Sequence, residues 1–211
     1  MYVPPVFAAR DKATLQGFIE SYSFATLVSS GPDGMVASHV PVLLDRGRGP
    51  HGTLLVHLAR ANPHARAMDG QDVLAIFLGP HGYVSPSWYE THPSVPTWNY
   101  AAVHAYGRAR VVDDPARLED IVQRLTAQYE SGREQPWTTA GLSRDYMAGM
   151  LKGIVGFEIE IARIEGKHKL SQNRGAVDRR NVIAALGASA NAEDRALADY
   201  MARHAPPEAG K

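Results

Sequence analysis

The chain has no cysteine. That removes disulfides, thiolate zinc sites, iron–sulfur clusters and thiol nucleophiles in one step, and fits a reducing compartment. It has no excess of either charge: 22 lysines and arginines balance 22 aspartates and glutamates over 211 residues, so the total favours no polyanionic partner. It has no apolar run long enough to cross a bilayer, and MYVPPVFAAR at its start lacks the basic-then-apolar order of a signal peptide. A cytosolic protein that does not enter membranes is the expectation, with one core and helical additions. Nucleotide and hydrolase signatures are missing too: no G-x-G-x-x-G, no phosphate loop, no G-x-S-x-G elbow and no H-E-x-x-H helix. GPDG and GPHG read as turns instead. His51 and His57 share strand parity, but six residues of strand span about 20 Å, too far for one metal ion.

What is present is a β-rich pattern with helices at its margins. Asp11 can cap a helix in which Leu15, Phe18, Ile19 and Tyr22 share a face. FATLVSS, a turn at Gly31-Pro32-Asp33-Gly34, and MVASHVPVLLD (Met35 to Asp45) read as a hairpin. Strands follow over Gly52 to Leu58 and Asp72 to Gly79, then an interrupted strand over Gly82 to Tyr89, a polar loop ETHPSVP and a long strand from Thr97 to Asp113. Asp114 and Pro115 open an amphipathic helix striped by Leu118, Ile121, Val122, Leu125 and Tyr129. A short helix near Arg144 to Met150 leads to a last strand over Gly153 to Gly166, and two helices close the chain. Six or so short strands with interposed helices suggest a small closed or partly closed barrel in a β-rich α+β fold.

The run HLARANPHAR, His57 to Arg66, carries the most information. It reads as a strand delivered onto a helix from Asn62 to about Asp69, with Asn62 as N-cap and Pro63 at the first helical position. Amides at such a start attract anions, and Arg60, His64 and Arg66 would reinforce the charge, so a phosphate-bearing ligand is one reading; a capped surface helix is the other. In Ser38-His39-Val40-Pro41 a hydroxyl and an imidazole precede a proline that removes a ladder donor, which marks either a ligand-facing position or a protected edge. If this strand lies beside His57-Leu58-Ala59, one polar pocket draws on both. Trp98-Asn99-Tyr100 offers flat aromatic surface that could border a planar heterocycle or pack a barrel rim. KHKLSQNR, Lys167 to Arg174, reads as a donor-rich loop able to close over a ligand, Lys169 countering charge and Gln172 or Asn173 bonding ring heteroatoms.

FATLVSS, SHVPVLL, HLARANPH, GPHGYVSPSWY, VPTWNYAAVHAYGRAR, GIVGFEIEI and KLSQNR, in this order, resemble the PaiB-like family of FMN-binding negative transcriptional regulators, from Met1 to about Asn181. The resemblance implies a split β-barrel of the pyridoxamine-phosphate-oxidase-like type, a homodimer with FMN at the subunit interface. It implies a flavin-binding domain over residues 1–174 and a helical extension over 175–211. Ser38, His39, Val40 and Pro41 with His57, Leu58 and Ala59 would flank the isoalloxazine and ribityl chain, and Asn62, Pro63 and His64 would meet the phosphate. Trp98, Asn99, Lys169, Gln172 and Asn173 would come from the other subunit or close the pocket.

Three functions fit that picture. One is an FMN-binding regulator whose flavin state alters partner or DNA binding. Arg174, Arg179 and Arg180 could form a basic patch on a dimer, but no helix-turn-helix with a basic second helix is evident. Another is a flavin-dependent oxidoreductase, a flavin reductase or an oxidase of a phosphorylated amine, for which only Arg203-His204 suggests a substrate-phosphate site. The third is a module that stores FMN or haem without turnover.

Overall fold

The computed structural model describes residues 1–31 and 34–204. Pro32 and Asp33, the centre of the expected hairpin turn, and residues 205–211 of the expected C-terminal extension lie outside the described residues. Eight strands form one sheet: β1 (Ala8–Ala9), β2 (Phe24–Gly31), β3 (Gly34–Pro41), β4 (Leu43–Asp45), β5 (Thr53–Ala59), β6 (Asp72–Val84), β7 (Thr97–Val112) and β8 (Ile154–Lys169). Their order is β3-β2-β6-β7-β8-β5-β4, with β1 paired to β8. The six helices are α1 (Lys12–Ser21), α2 (Pro63–Ala67), α3 (Pro115–Glu130), α4 (Arg144–Leu151), α5 (Ala176–Gly187) and α6 (Ala192–Arg203). The hydrogen-bonded path is open, and no helix among the described residues is long and apolar enough to cross a membrane.

Two compact units divide the chain. Unit one holds residues 1–10, 78–103 and those from Glu165 onward; unit two holds Asp11–Phe77 and His104–Ile164. In unit two the hairpin forms in the register that the alternation predicts, Leu27 opposite Ser38 and Ala25 opposite Val40. Ile19, Leu27, Leu54, Met68, Phe77, Phe157 and Ile159 are fully buried there, each such side chain worth roughly 1.5–3 kcal/mol over exposure. Leu55 packs on Ile121 and Leu125 of α3, so one face of β5 is the floor of that helix. Asp11 and Asp114 cap α1 and α3 through bonds from the Thr14 and Ala116 amides at 2.8 and 3.0 Å. A Cβ at Gly107 would lie 2.1 Å from the Glu160 carbonyl oxygen, so only glycine permits that strand contact. In unit one, α5 and α6 bury Val182, Leu186, Leu197 and Met201 against each other and the strand ends.

Four segments depart from the sequence expectation. GPHG is not a turn: β6 runs through it, and Gly82 serves close packing, since a Cβ there would lie 3.0 Å from Leu197. The strand expected from Met35 to Asp45 breaks at Val42, whose amide turns to the Ser23 carbonyl at 2.8 Å. Lys167 to Lys169 are strand rather than loop, because Lys167 and Gly166 pair with the two residues of β1. The helix opened by Asn62 has five residues, not eight.

Glu158 of β8 is the hub of an ion network on unit two, accepting from Arg48 at 2.7 and 2.6 Å and from Arg117 at 2.9 Å. The Arg48 bond, then the Arg117 bond, hold its carboxyl down from 4.5 to about 2 against the opposing pull of burial. A carboxylate favoured by folding stabilises fully above its ordinary value and loses that contribution as pH falls through about 2. Glu158→Gln is therefore expected to be less stable than wild type by about 1 kcal/mol at neutral pH. Denaturant titrations should show the gap closing on acidification from 4.5 toward 2.

Candidate functional site

The hydrophobic alternation of β2 and β3 points Leu27, Ser29, Ser38 and Val40 to one face, and α2 lies against that face. His64, on α2, is fully buried and bridges the two strands: Nε2 is 3.0 Å from Ser29 Oγ and Nδ1 is 2.9 Å from Ser38 Oγ. Asn62 Nδ2 donates to Ser38 Oγ at 3.2 Å, while Asn62 Oδ1 accepts the His64 amide at 2.9 Å. Ser29 Oγ donates to the Ser30 carbonyl at 3.4 Å. One proton arrangement uses every group: Asn62 to Ser38, Ser38 to His64 Nδ1, His64 Nε2 to Ser29, and Ser29 to the carbonyl. It requires a neutral imidazole, and burial pushes the His64 pKa down.

This corner unites Ser38, Asn62, Pro63 and His64 as the sequence predicts, but by a different physics. With five helical residues and the His64 amide already capped, α2 has little dipole to offer, and the imidazole faces serines rather than an anion. Its solvent side carries the exposed Pro63 and Arg66, and no carboxylate among the described residues lies within ion-pair reach of Arg66. With the Ser38 proton spent on His64, the second Asn62 Nδ2 proton and the Arg66 guanidinium are the donors this corner has to offer a phosphate ester.

The other predicted residues of unit two divide by strand parity. His39 faces away from Ser38, is exposed, and bonds Thr26 Oγ1 through Nδ1 at 3.0 Å. Val40 is buried opposite Ala25, and Pro41 ends β3. β5 approaches β3 without pairing to it, so these strands flank the open side of the sheet rather than a ladder. Ala59 accepts the Asn62 amide at 2.9 Å and Leu58 is buried. His57 has the parity of Leu55, on the α3 side; its Nδ1 is buried with no partner among the described residues, and burial lowers its pKa.

In unit one the expected residues gather around the end of β8. Lys169 Nζ donates to Thr97 Oγ1 and, at 2.7 Å, to the Trp98 carbonyl. Burial, then the charge of Lys167, push its pKa down. Gln172 clamps its own turn, Oε1 accepting the Leu170 amide at 2.7 Å and Nε2 donating to the His168 carbonyl. Asn99 is fully buried, donates to Ser171 Oγ at 2.9 Å, and leaves Oδ1 without a partner among the described residues. Trp98, 55% exposed and edge-on to Tyr83, and Asn173 are the members turned to solvent.

Three contributors were not anticipated. Ser29 was visible as a polar residue on the buried parity of FATLVSS. Ser171, with φ at 64°, is a non-glycine residue in the left-handed region and gives no sequence signal. Asp178 is buried on α5 and accepts the Glu90 amide at 2.8 Å, which with the Arg174 bond to Ser94 ties down the 90–96 loop.

The family described as "Putative FMN-binding domain" matches residues 1–163. "Protease synthase and sporulation protein PAI 2" of Bacillus subtilis is 36% identical over 202 residues, 95% of this chain and 96% of that one. Among solved structures, the FAD and haem binding protein from Mycobacterium smegmatis is similar at TM-score 0.58 and 18% identity, covering 84% of this chain and 79% of that one. The flavocytochrome Anf3 from Azotobacter vinelandii is similar at TM-score 0.56 and 14% identity, covering 77% and 69%. Both share the fold.

Buried neutral imidazoles set an acid limit. His168 is held down to about 4 by burial and by the charge of His204, and His57 and His64 are lowered by burial alone. The unfolded chain binds these protons first, so stability should fall as pH drops below about 6.5. The His168 share should be fully lost by about 4. Urea midpoints across this window check it; a flat profile would contradict it.

Proposed function

The chain belongs to the FMN-binding domain family, and from that premise we propose that the Ser38–Pro41 and Asn62–His64 corner receives the ribityl phosphate of FMN in a homodimeric regulatory protein. The observation that carries this is the Asn62 amide, oriented by Ser38 and by the His64 backbone amide beside the exposed Pro63 and Arg66. Bound FMN supplies a redox-active ring. The chain's own part is to fix its phosphate with oriented donors and to border the ring with β3 and the end of β5. A second copy would contribute Trp98 and Asn173, with Asn99, Lys169 and Gln172 holding the backbone that presents them.

The dimer has support in an unusual surface. On the face of β2 and β3 opposite the corner, Phe24 and Met35 are 68% and 72% exposed beside half-buried Val28, Leu74 and Ile76, a patch that a second copy would cover. The regulatory role draws on the resemblance to the PaiB-like regulators; the Bacillus relative is itself named for protease synthase and sporulation. Direct DNA reading draws no support from charge: α5 and α6 are joined by a short turn, but α6 opens with Glu193 and Asp194, which would repel phosphates. The flavin state is therefore relayed to a partner surface in this account.

Flavin fluorescence titration tests the corner: Asn62→Ala should weaken FMN binding about tenfold, equivalent to about 1.4 kcal/mol. Undiminished affinity would remove the proposed phosphate site. Light scattering tests the dimer, with wild type expected at twice the chain mass and Met35→Glu shifted toward one; a monomeric wild type would contradict it.

A further inference from the structure

Unit two contains a second recess that no part of the flavin account uses. It has a volume of about 960 Å³ and lies among the end of β7, the first turns of α3, the 139–142 segment and α4. Its apolar surface comes from Val112, Leu118, Leu142, Met147 and Leu151. α4 buries none of its residues, and Met147 and Leu151 are only half covered, so the helix stands over the recess without filling it. Arg60, Arg144 and Lys152 line the same space.

Those three cations share one recess, and like Arg66, Arg108 and Arg110 of the same unit they have no ion pair among the described residues. Arg46, Arg48, Arg117, Arg124 and Arg133 each have a carboxylate within 4.0 Å. Arg60, Arg144 and Lys152 have none among the described residues, although Asp113 and Glu119 also line the recess. Arg60 is held in place by bonds to the Lys152 and Ile154 carbonyls, both 2.8 Å, which fix the guanidinium without neutralising it. An apolar recess of this size with a few convergent charges is the usual form of a small-molecule site.

We infer that this recess binds a small organic anion with an apolar body, its head met by Lys152 and Arg60 at the C-terminal end of α4 and its body lying on Val112, Leu118, Met147 and Leu151. The anion supplies the counter-charge that the cations lack, and the body covers the half-exposed face of α4. Such a ligand would order α4 and the 131–143 segment on α3, giving the protein a second input besides flavin.

Calorimetric titration of the full chain with sodium octanoate, with 1-octanol as the uncharged control, tests it. Octanoate is expected to bind saturably at one site and octanol at least about tenfold more weakly. Lys152→Gln should weaken octanoate about tenfold or more, and Ala148→Trp, at an exposed position on the recess wall, should abolish binding. FMN affinity should be unchanged in both variants. No saturable octanoate binding, equal binding of octanol, unchanged affinity in both variants, or a parallel loss of FMN binding would each overturn the inference.

Discussion

A buried, neutral imidazole holds the candidate flavin corner together. His64 has no exposed surface and spends both ring nitrogens on serines of two neighbouring strands, which fixes α2 against the hairpin and aims Asn62 at Ser38. The low dielectric around such a chain strengthens each bond and makes any unpaired member costly. Protonating the ring would turn an acceptor into a donor and set Nδ1 against the Ser38 hydroxyl proton, so the same network that orients the corner also depends on the ring staying neutral.

Unit one obeys a related constraint. Asn99 and Ser171 pair in its core, and the left-handed backbone at Ser171 turns the chain sharply off β8. Lys169 and Gln172 are spent on carbonyls and an amide of their own neighbourhood, which makes them positioning residues for the 97–98 and 168–172 backbone. The donors that sequence reading assigned to a ligand are therefore mostly structural, and what they present outward is the ring of Trp98 and the side chain of Asn173. Fold resemblance to flavin and haem proteins leaves room for many activities, and the site must decide among them.

Much of this was legible in the amino-acid pattern because it rests on local rules. The Asp11, Asn62 and Asp114 caps, the β2–β3 register and the apolar stripe of α3 follow from capping chemistry and periodicity. The failures share a different cause, contacts remote in sequence. Gly82 looks like a turn residue until Leu197 is packed on it, and Lys167 looks like loop until Ala8 pairs with it from the other end of the chain. At the candidate site Ser38, Asn62 and His64 come together as hydrogen-bonded neighbours, and the role of His64 depends as well on Ser29, whose pairing with the ring only the fold reveals. The resemblance places His39 and His57 beside the flavin, whereas strand alternation turns His39 to the face opposite Ser38 and sets His57 on the side packed by α3.

A crystal structure of the FMN complex would show where the phosphate lies and what His64 does when it is bound. The phosphate should sit at the solvent side of residues 62–66, with His64 still bridging Ser29 and Ser38 and Asn62 still bonded to Ser38. A cofactor lodged away from this corner, or a His64 ring swung out of its serine pair to pair with the phosphate as a cation, would contradict it.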